Sequence, residues 1–444
     1  MAMTTPGMAG IRLPISGPNL KHATWHTGYF RPMKRLLLVL AVAAASLVHG
    51  QTSRVLFIGN SYVGVNNLPD MTRQLALSLG HTLEVASSNP GGYTFQQHTG
   101  NTTTRGLIAE GNWDFVVLQE QSQLPSFPPS QVASQCLPYA AALVDSIRTY
   151  SPCADAVFYM TWGRQDGDQQ NCPGWPPVCT YEGMQARLRE SYLLMAMNND
   201  AECAPAGAAW KRIREEHPTI NLYSSDGSHP SVAGSYLVAC TMYSTFFRKS
   251  TVGATWHSTL DAATAAILQQ VASSTVLDSL GTWKIGVLDP VALPQHADLG
   301  GGQVSFSEAS VNATQHFWNL GDGTTSTGSS FTHTYANSGS YTITYITSDD
   351  CGRADTSMFS LNVTATGISE NAVEGFSLHQ EVNGWRLSNP GSAGILELYD
   401  LQGRLLQSIS VVAQSSGTIR QPEAPVVLWR FSSGDGVRTG KVVR

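Results

Sequence analysis

Two short polar segments of this chain contain the residue types of a nucleophilic site. Residues 57–62 read Phe-Ile-Gly-Asn-Ser-Tyr, and residues 225–230 read Ser-Asp-Gly-Ser-His-Pro. A serine hydroxyl is a weak nucleophile at neutral pH, and it needs a nearby base that a third group holds in one tautomer. Ser61, His229 and Asp226 are the right three types. Together they predict attack of a serine on an acyl carbonyl.

The elements around these residues are predicted to place them at one edge of a sheet. Residues 54–58 form a short apolar run rich in strand-forming residues, and Ser61 follows just after it. In an open α/β sheet, ligands bind beyond the carboxyl ends of the strands. Asp226 and His229 lie in a polar, glycine-containing loop before a helical pattern that starts at residue 232. Loops on a rigid scaffold often carry catalytic side chains.

Each segment also has a purely structural interpretation. A Gly-Asn-Ser sequence after a strand is usually a turn. An Asp-x-x-His sequence is usually a polar loop or a helix cap, in which Asp226 or Ser231 binds free backbone amides. The catalytic interpretation is favoured because the two segments lie at opposite ends of one domain-sized α/β pattern.

Three ordered motifs resemble the SGNH (GDSL-like) hydrolase superfamily. They are FIGNS at residues 57–61, WDFVVLQ at 113–119 and DGSHPSVAGSYLVAC at 226–240, and they are most similar to a bacterial branch with FIGNS, WDxVxLQ and DGxHxSxxG blocks. The resemblance implies a three-layer α/β/α fold. It also implies ester hydrolysis through an acyl-enzyme, with Ser61, Asp226 and His229 catalytic and with no metal or organic cofactor.

The resemblance also suggests where the oxyanion of the reaction would be stabilised. In the family, the donors are the serine amide, a glycine amide and an asparagine side chain. The amides of Ser61 and Gly92 fit the first two roles, with Gly91 as the alternative glycine. The usual Gly-x-Asn-Asp block is absent, and Gln119, or else Gln121, is expected to replace its asparagine.

Other polar and aromatic residues near these motifs are expected to be structural. Glu120 should point to the opposite face of the sheet from Gln119 if the strand persists. His98, Trp113 and Trp162 could line a substrate pocket, but a position in the core or at its rim is favoured for each of them.

Composition limits the possible functions. The 444 residues carry a net charge of −6, only 13% are charged, and the basic residues do not cluster beyond the extreme N-terminus. This pattern argues against nucleic-acid binding. No Cys-x-x-Cys or His-Glu-x-x-His motif occurs, so no zinc site is expected.

The cysteine pattern suggests disulfides. Six of the seven cysteines lie in the first large domain and could form three bridges, which leaves Cys351 unpaired. Their pairing is open. Cys172 with Cys179 is preferred, because these two flank a loop rich in Pro, Gly and Trp.

A secretory signal peptide is predicted over residues 33–50. A basic start at Met33 leads into an apolar stretch that ends with small residues, so cleavage is expected before Gln51 and Met33 is the expected true start. No later apolar stretch is long enough for a membrane span. The protein is therefore expected to be secreted or at the cell surface.

Three domains are expected after the signal peptide. Residues 51–290 alternate strands and helices, which predicts a parallel sheet covered by helices on both faces. The expected strands are 54–59, 82–87, 115–119 and 156–161, with a fifth near 220–224. The expected helices are 68–79, 131–150, 181–198, 232–248 and 260–280.

The remaining chain reads as β structure. Residues 295–365 resemble the PKD family, an immunoglobulin-like β-sandwich, and Asp322 is expected to be a turn residue rather than a metal ligand. Residues 367–444 are similar to the C-terminal sorting domain of the type IX secretion system of Bacteroidota, although the usual Gly-Val-Tyr is replaced by Val-Val-Leu-Trp. Without that resemblance, the tail reads as a small β-domain for adhesion or packing.

The leading expectation is a secreted serine esterase acting on a small acyl ester, such as an O-acetyl group on a carbohydrate. Its partners would be an acylated glycan and the type IX secretion machinery. One alternative is a non-catalytic surface protein for glycan binding or adhesion. Another is an acyltransferase that acts on a glycan with the same triad.

Overall fold

Parallel strands form the central sheet in the first part of the chain. The computed structural model describes residues 52–365, 376–381, 384–389, 391–420, 422, 426–434 and 436–443. The expected signal peptide and start at Met33 lie outside them. The strands of the sheet are β1 (Ser53–Ile58), β2 (Leu83–Ser88), β3 (Phe115–Leu118), β4 (Asp155–Tyr159) and β5 (Glu202–Ala204). Their order across the sheet is β2-β1-β3-β4-β5.

Helices connect and follow these strands. They are α1 (Ser61–Gly64), α2 (Leu68–Ser78), α3 (Phe95–Gly100), α4 (Thr102–Ala109), α5 (Pro129–Gln135), α6 (Leu137–Tyr150), α7 (Tyr181–Asn198), α8 (Ala206–Glu216), α9 (Val232–Phe247) and α10 (Ala262–Leu277). Within the described residues, no helix is long and apolar enough to cross a membrane.

The sheet is buried on both faces. Along β1, Val55 and Phe57 join one hydrophobic cluster, whereas Leu56 and Ile58 join another. Successive side chains of a strand point to opposite faces, so the two clusters lie on the two sides of the sheet. Helices α2, α8, α9 and α10 cover one face, and α3 to α7 cover the other. This arrangement confirms the predicted three-layer α/β/α fold.

The fifth strand differs from its predicted position. It is β5, which pairs with β4, and not the segment near residues 220–224. There, Tyr223 makes only an isolated bridge to Pro230. Strand β5 was missed because its short sequence contains Glu202, a residue that is buried here although strand patterns rarely place it inside. The predicted helix over 131–150 is also divided in two near Pro138, at Cys136.

Antiparallel strands form the sheets of the described residues that follow, as predicted. Two sheets share one core between residues 294 and 363. The first sheet contains β6 (Pro294–Gly300), β7 (Gln303–Glu308) and β10 (Ser330–Thr334). The second sheet contains β8 (Gln315–Asn319), β9 (Thr325–Ser326), β11 (Gly339–Ser348) and β12 (Ala354–Val363). Asp322 lies in the turn between β8 and β9 and accepts a hydrogen bond from the Thr324 amide at 2.9 Å.

Two more sheets enclose a core at the C-terminal end. One contains β13 (Ser377–Glu381), β14 (Gly384–Asn389) and β17 (Ser415–Ile419), and the other contains β15 (Gly394–Tyr399), β16 (Leu405–Val411), β18 (Val426–Ser433) and β19 (Gly436–Val443). Buried side chains such as Trp385 and Phe431 fill the space between them. A small β-domain is therefore present where one was predicted.

The disulfides agree with the predicted pairing in one case only. Cys172 is bonded to Cys179, as preferred from the sequence. Cys351 was expected to be unpaired, but it is bonded to Cys153 across 198 residues. The other cysteines of the first domain, which were expected to form bridges, are buried and free: Cys136, Cys203 and Cys240. They pack as small apolar side chains.

The bond between Cys153 and Cys351 ties the α/β region to the following β-sandwich. A disulfide stabilises mainly by restricting the unfolded chain, and more so for a longer loop. We expect the double variant Cys153→Ser/Cys351→Ser to lose about 5 kcal/mol of unfolding free energy. Non-reducing urea unfolding of the mature chain measures this loss.

The matched control is Cys172→Ser/Cys179→Ser, which opens a loop of only seven residues. Chain entropy predicts a loss of about 2 kcal/mol for it. An equal loss in the two double variants would contradict this account.

Candidate active site

Ser61 lies in a tight turn at the carboxyl edge of the sheet. Strand β1 ends just before this turn, and α1 begins at Ser61. Asn60 shapes the turn: its Oδ1 accepts from the Tyr62 amide at 3.1 Å, and its Nδ2 donates to the Tyr93 carbonyl at 3.1 Å. The asparagine therefore caps α1 and joins the turn to the loop after β2.

Asp226 and His229 lie in a second tight turn, just before α9. The Asp226 Oδ1 accepts from the amides of Ser228 and His229 at 3.0 and 2.9 Å. Gly227 has a φ of 65°, a conformation that favours glycine. Ser231 caps α9 through its side chain. The helix-capping role that the sequence suggested for Asp226 or Ser231 thus belongs to Ser231. Asp226 instead stabilises the turn in which it lies, and it also contacts the histidine ring.

The two turns bring Ser61, His229 and Asp226 into one hydrogen-bonded line. Ser61 Oγ is 2.9 Å from His229 Nε2, and His229 Nδ1 is 2.5 Å from Asp226 Oδ2. An ionised carboxylate can only accept, so Nδ1 carries the proton that faces Asp226. Nε2 is then the acceptor for the Ser61 hydroxyl. This arrangement can deprotonate the serine as it attacks.

Asp226 is held in its charged form. Partial burial acts to raise the pKa of this carboxyl group, but hydrogen bonds from the His229 ring and from the amides of Ser228 and His229 outweigh it, and they lower the pKa to about 2. The carboxylate therefore stays ionised at neutral pH. It can keep the histidine in one tautomer throughout the physiological range.

A stack of aromatic rings supports the histidine turn from behind. Tyr62 stacks on Trp162 with ring centres 4.8 Å apart, and Trp162 stacks on Trp210 at 3.8 Å. Two of these rings hold Ser228: the Tyr62 hydroxyl is 2.7 Å from its Oγ, and Trp162 Nε1 donates to its carbonyl at 3.0 Å. Since Ser228 precedes His229, the stack fixes the position of the imidazole.

This support was not predicted from the sequence. Trp162 is fully buried and does not line the site. No role was assigned to Tyr62 or Ser228, although each is next to a triad residue in the sequence, and that adjacency was the available signal. Burial raises the pKa of the Tyr62 hydroxyl, so it remains a neutral hydrogen-bonding group.

Gly92 lies in the turn that follows β2, where it has a φ of 72°. A Cβ placed on it would meet no atom within 4 Å, so the backbone conformation, and not crowding, favours glycine here. The next residue, Tyr93, accepts the hydrogen bond from Asn60 described above. The Gly92 amide is thus carried by a loop that is bonded directly to the Ser61 turn.

The two glutamines are bonded within the protein. Gln119 is fully buried; its Oε1 accepts from the Asn60 amide at 2.9 Å, and its Nε2 donates to the Glu120 carbonyl. A Cβ on Gly59 would lie 2.6 Å from Gln119 Oε1, so glycine lets these two segments approach. Gln121 Oε1 accepts from two backbone amides, at 2.8 and 3.0 Å. Both side chains therefore stabilise the loops around Ser61, and their role as oxyanion donors remains a prediction.

Glu120 is buried, in agreement with a structural role. Its Oε1 accepts from the Phe95 and Gln121 amides at 2.9 and 2.7 Å, which joins the start of α3 to the end of β3. Burial raises its pKa to about 8. His98 is buried too, and its ring bonds to the Gly59 carbonyl and to Thr104 at 2.8 Å each.

An open cleft of about 430 Å³ lies beside His229. Residues of the segments 164–170 and 226–229 line it. Asp168, at the base of the first segment, is fully buried and accepts from Gln123 Nε2 at 2.7 Å, and Arg164 Nη1 pairs with it at 3.3 Å. The Cys172–Cys179 bond closes the loop that follows. The cleft therefore has a fixed polar wall.

Comparison with known proteins gives a family for one part of the chain. The family model described as PKD domain matches residues 297–363. This β-sandwich is a PKD domain. It is 32% identical to the PKD1 domain of a Vibrio cholerae metalloprotease, over 17% of this chain and 96% of that domain, with a TM-score of 0.16. A comparison with curated proteins gives no match.

Two solved structures are similar to the α/β region. A DUF4886 family protein from Bacteroides uniformis is 17% identical over 51% of this chain and 95% of its own, with a TM-score of 0.45. A candidate SGNH hydrolase from Slackia heliotrinireducens is 29% identical over 43% of this chain and 97% of its own, with a TM-score of 0.35.

The role of Tyr62 as a positioning residue can be tested by Tyr62→Phe. This variant loses the hydroxyl that bonds Ser228, so His229 should be held less firmly. A hydrogen bond of about 0.5–1.5 kcal/mol corresponds to a 2- to 10-fold slower reaction. The readout is the rate constant for labelling of Ser61 by a fluorophosphonate.

Tyr243→Phe is the matched control, because it removes a hydroxyl that bonds His81 at 3.0 Å, well apart from the triad in the fold. Its labelling rate should equal that of the wild type. Equal labelling of Tyr62→Phe and the wild type would show that the Tyr62 hydroxyl does not position His229.

Replacing Glu120 with glutamine should flatten the dependence of stability on pH. The folded-state pKa of about 8 exceeds the ordinary value of 4.5, so the stability that Glu120 contributes is fully present below pH 4.5 and is lost as the pH rises to about 8. Glutamine keeps the acceptor oxygen but has no proton to lose. Urea unfolding from about pH 5 to 8 should give a smaller decline for Glu120→Gln.

Glu182→Gln, at an exposed position in the first turn of α7, should leave the decline unchanged. Burial also raises the pKa of Glu202 to about 8, so part of the decline persists in every variant. An identical decline in Glu120→Gln and the wild type would refute the raised pKa of Glu120.

Proposed function

We propose that this protein is a secreted serine esterase that hydrolyses small acyl esters. Ser61 is the nucleophile, His229 is the base, and Asp226 orients the histidine. The proposal rests on one observation: Ser61 Oγ, the His229 ring and the Asp226 carboxylate form a continuous hydrogen-bonded line at the carboxyl edge of a parallel sheet. The acyl-transfer chemistry follows from that geometry.

In the proposed reaction, Ser61 Oγ attacks the ester carbonyl while His229 Nε2 takes its proton. The tetrahedral intermediate collapses as the imidazolium gives that proton to the leaving alcohol, which leaves an acyl group on Ser61. Water then attacks this ester as His229 takes its proton, and the second intermediate collapses as that proton passes to Ser61 Oγ and the carboxylic acid departs. Asp226 stabilises the imidazolium in both steps.

Donors to the oxyanion complete the proposed site. The amides of Ser61 and Gly92 are the proposed backbone donors, because Asn60 joins the loops that carry them. The third donor would be the side-chain amide of Gln119 or Gln121, which would give up its present hydrogen bond to bind the oxyanion. One such donor contributes about 3–4 kcal/mol to catalysis.

The cleft beside His229 supports a polar alcohol, such as a sugar, as the leaving group. His229 must protonate the leaving oxygen, so the alcohol lies on its side of the ester. Amide, guanidinium and carboxylate groups of residues 164–170 line the cleft next to His229. An O-acetyl group on a carbohydrate is therefore the proposed substrate.

The proposed location is outside the cytoplasm. Disulfides persist in oxidising compartments, and the described residues contain two. The predicted signal peptide would direct export, and the C-terminal β-domain would act as a type IX sorting domain. Both remain proposals.

The esterase proposal is tested by fluorophosphonate labelling and by p-nitrophenyl acetate hydrolysis with the mature protein. The variants Ser61→Ala and His229→Ala should each lose at least about 10³-fold in kcat/KM, because they remove the nucleophile or its base. Labelling should disappear completely in Ser61→Ala.

Ser130→Ala removes an exposed hydroxyl at the start of α5 and should behave as the wild type. Hydrolysis that survives in Ser61→Ala would exclude Ser61 as the nucleophile. A wild type that neither labels nor hydrolyses would favour the non-catalytic alternative.

A further inference from the structure

A second open cleft of about 360 Å³ adjoins the first. Gln165 lines both clefts, so it forms the ridge between them. Its amide donates to the Gly227 carbonyl at 2.8 Å, which fixes this ridge to the histidine turn. Arg214, from the end of α8, lines the second cleft together with Pro218 and residues 220–223. The two clefts thus share Gln165, and the first of them includes His229.

Arg214 is held rigidly in the second cleft. Its guanidinium lies 4.0 Å from the centre of the Tyr181 ring and 5.4 Å from that of Tyr223. Its Nη2 donates to the Gln165 carbonyl at 3.2 Å. A guanidinium stacked on aromatic rings loses little freedom when it binds a planar anion.

No acidic partner neutralises this guanidinium in the described part of the chain. The neighbouring cations on α8 are both paired one turn ahead: Lys211 with Glu215, and Arg212 with Glu216. The corresponding position for Arg214 is Pro218, which lies beyond the end of the helix. Arg214 therefore keeps a net positive charge at the wall of an open cleft.

The first cleft has the opposite character. Arg164 is paired with the buried Asp168, and Asp166 and Asp226 also line the space. An anionic group would be repelled there and attracted to Arg214. The charges thus place a neutral sugar next to His229 and an acidic group beyond the Gln165 ridge.

We propose that the alcohol part of the substrate is an acidic glycan. The sugar that carries the ester occupies the cleft beside His229, and the carboxylate of a nearby uronic acid forms paired hydrogen bonds with Arg214. This inference rests on the proposed esterase function, because that function places the leaving group on the His229 side. Arg214 then determines specificity and takes no part in the bond-breaking steps.

The test compares O-acetylated galacturonate oligosaccharides with O-acetylated xylo-oligosaccharides as substrates. The wild type should have the lower KM for the acidic series. Arg214→Gln should raise the ratio of acidic to neutral KM about tenfold or more, as expected for lost hydrogen bonds to a charged group, and Arg214→Lys should recover part of it. Lys211→Gln removes the same charge from the same helix but lies outside the cleft, so its ratio should match the wild type.

A binding measurement separates failure of this inference from failure of the esterase function. Calorimetric titration of Ser61→Ala with unacetylated galacturonate oligosaccharide needs no catalysis, and Arg214→Gln in the same background should weaken that binding about tenfold. An unchanged affinity, or an unchanged KM ratio in an active enzyme, overturns the role of Arg214. A wild type that binds the oligosaccharide but hydrolyses no ester refutes the esterase function and leaves the anion site standing.

Discussion

The contact between Ser61 and His229 joins segments that are 168 residues apart in sequence, and the rest of the site depends on it. The parallel sheet brings the end of β1 to its carboxyl edge, and the aromatic stack behind Ser228 holds the histidine turn against it. Tyr62 belongs to the same short helix as Ser61, so one element carries both the serine and the hydroxyl that supports the histidine turn. Such pre-organisation lowers the cost of aligning groups during a reaction.

The surroundings of two carboxyl groups near this edge shift their pKa values in opposite directions. Asp226 is partly exposed and accepts several N–H donors, which stabilise its charge. Glu120 is buried with one oxygen unbonded among the described residues, so its neutral form is favoured at neutral pH. The same chemical group is thus a charged acceptor beside the histidine at the rim, in Asp226, and a neutral group that joins two loops in the interior, in Glu120.

Local patterns were enough to predict much of the fold and the three residues placed in line at the site. Alternating strands and helices gave the parallel sheet, and the turn after β1 placed Ser61 at its edge. Contacts between distant segments could not be predicted from local patterns. The Cys153–Cys351 bond joins different domains, and the Tyr62–Trp162 stack has no local signature in the sequence. The bonds of Gln119 were also hidden, because they depend on how closely neighbouring strand ends approach.

The bond between Cys153 and Cys351 also sets an orientation. Cys153 precedes β4, so the PKD domain is fastened at the amino ends of the strands, and Arg353 reinforces the junction by pairing with Asp155 at 3.0 Å. Ser61 lies at the carboxyl ends of the strands, which form the opposite edge of the sheet. If the PKD domain faces a surface to which the protein is attached, the edge that carries Ser61 faces away from that surface. Long polymers in the surrounding medium could then reach it without passing the anchor.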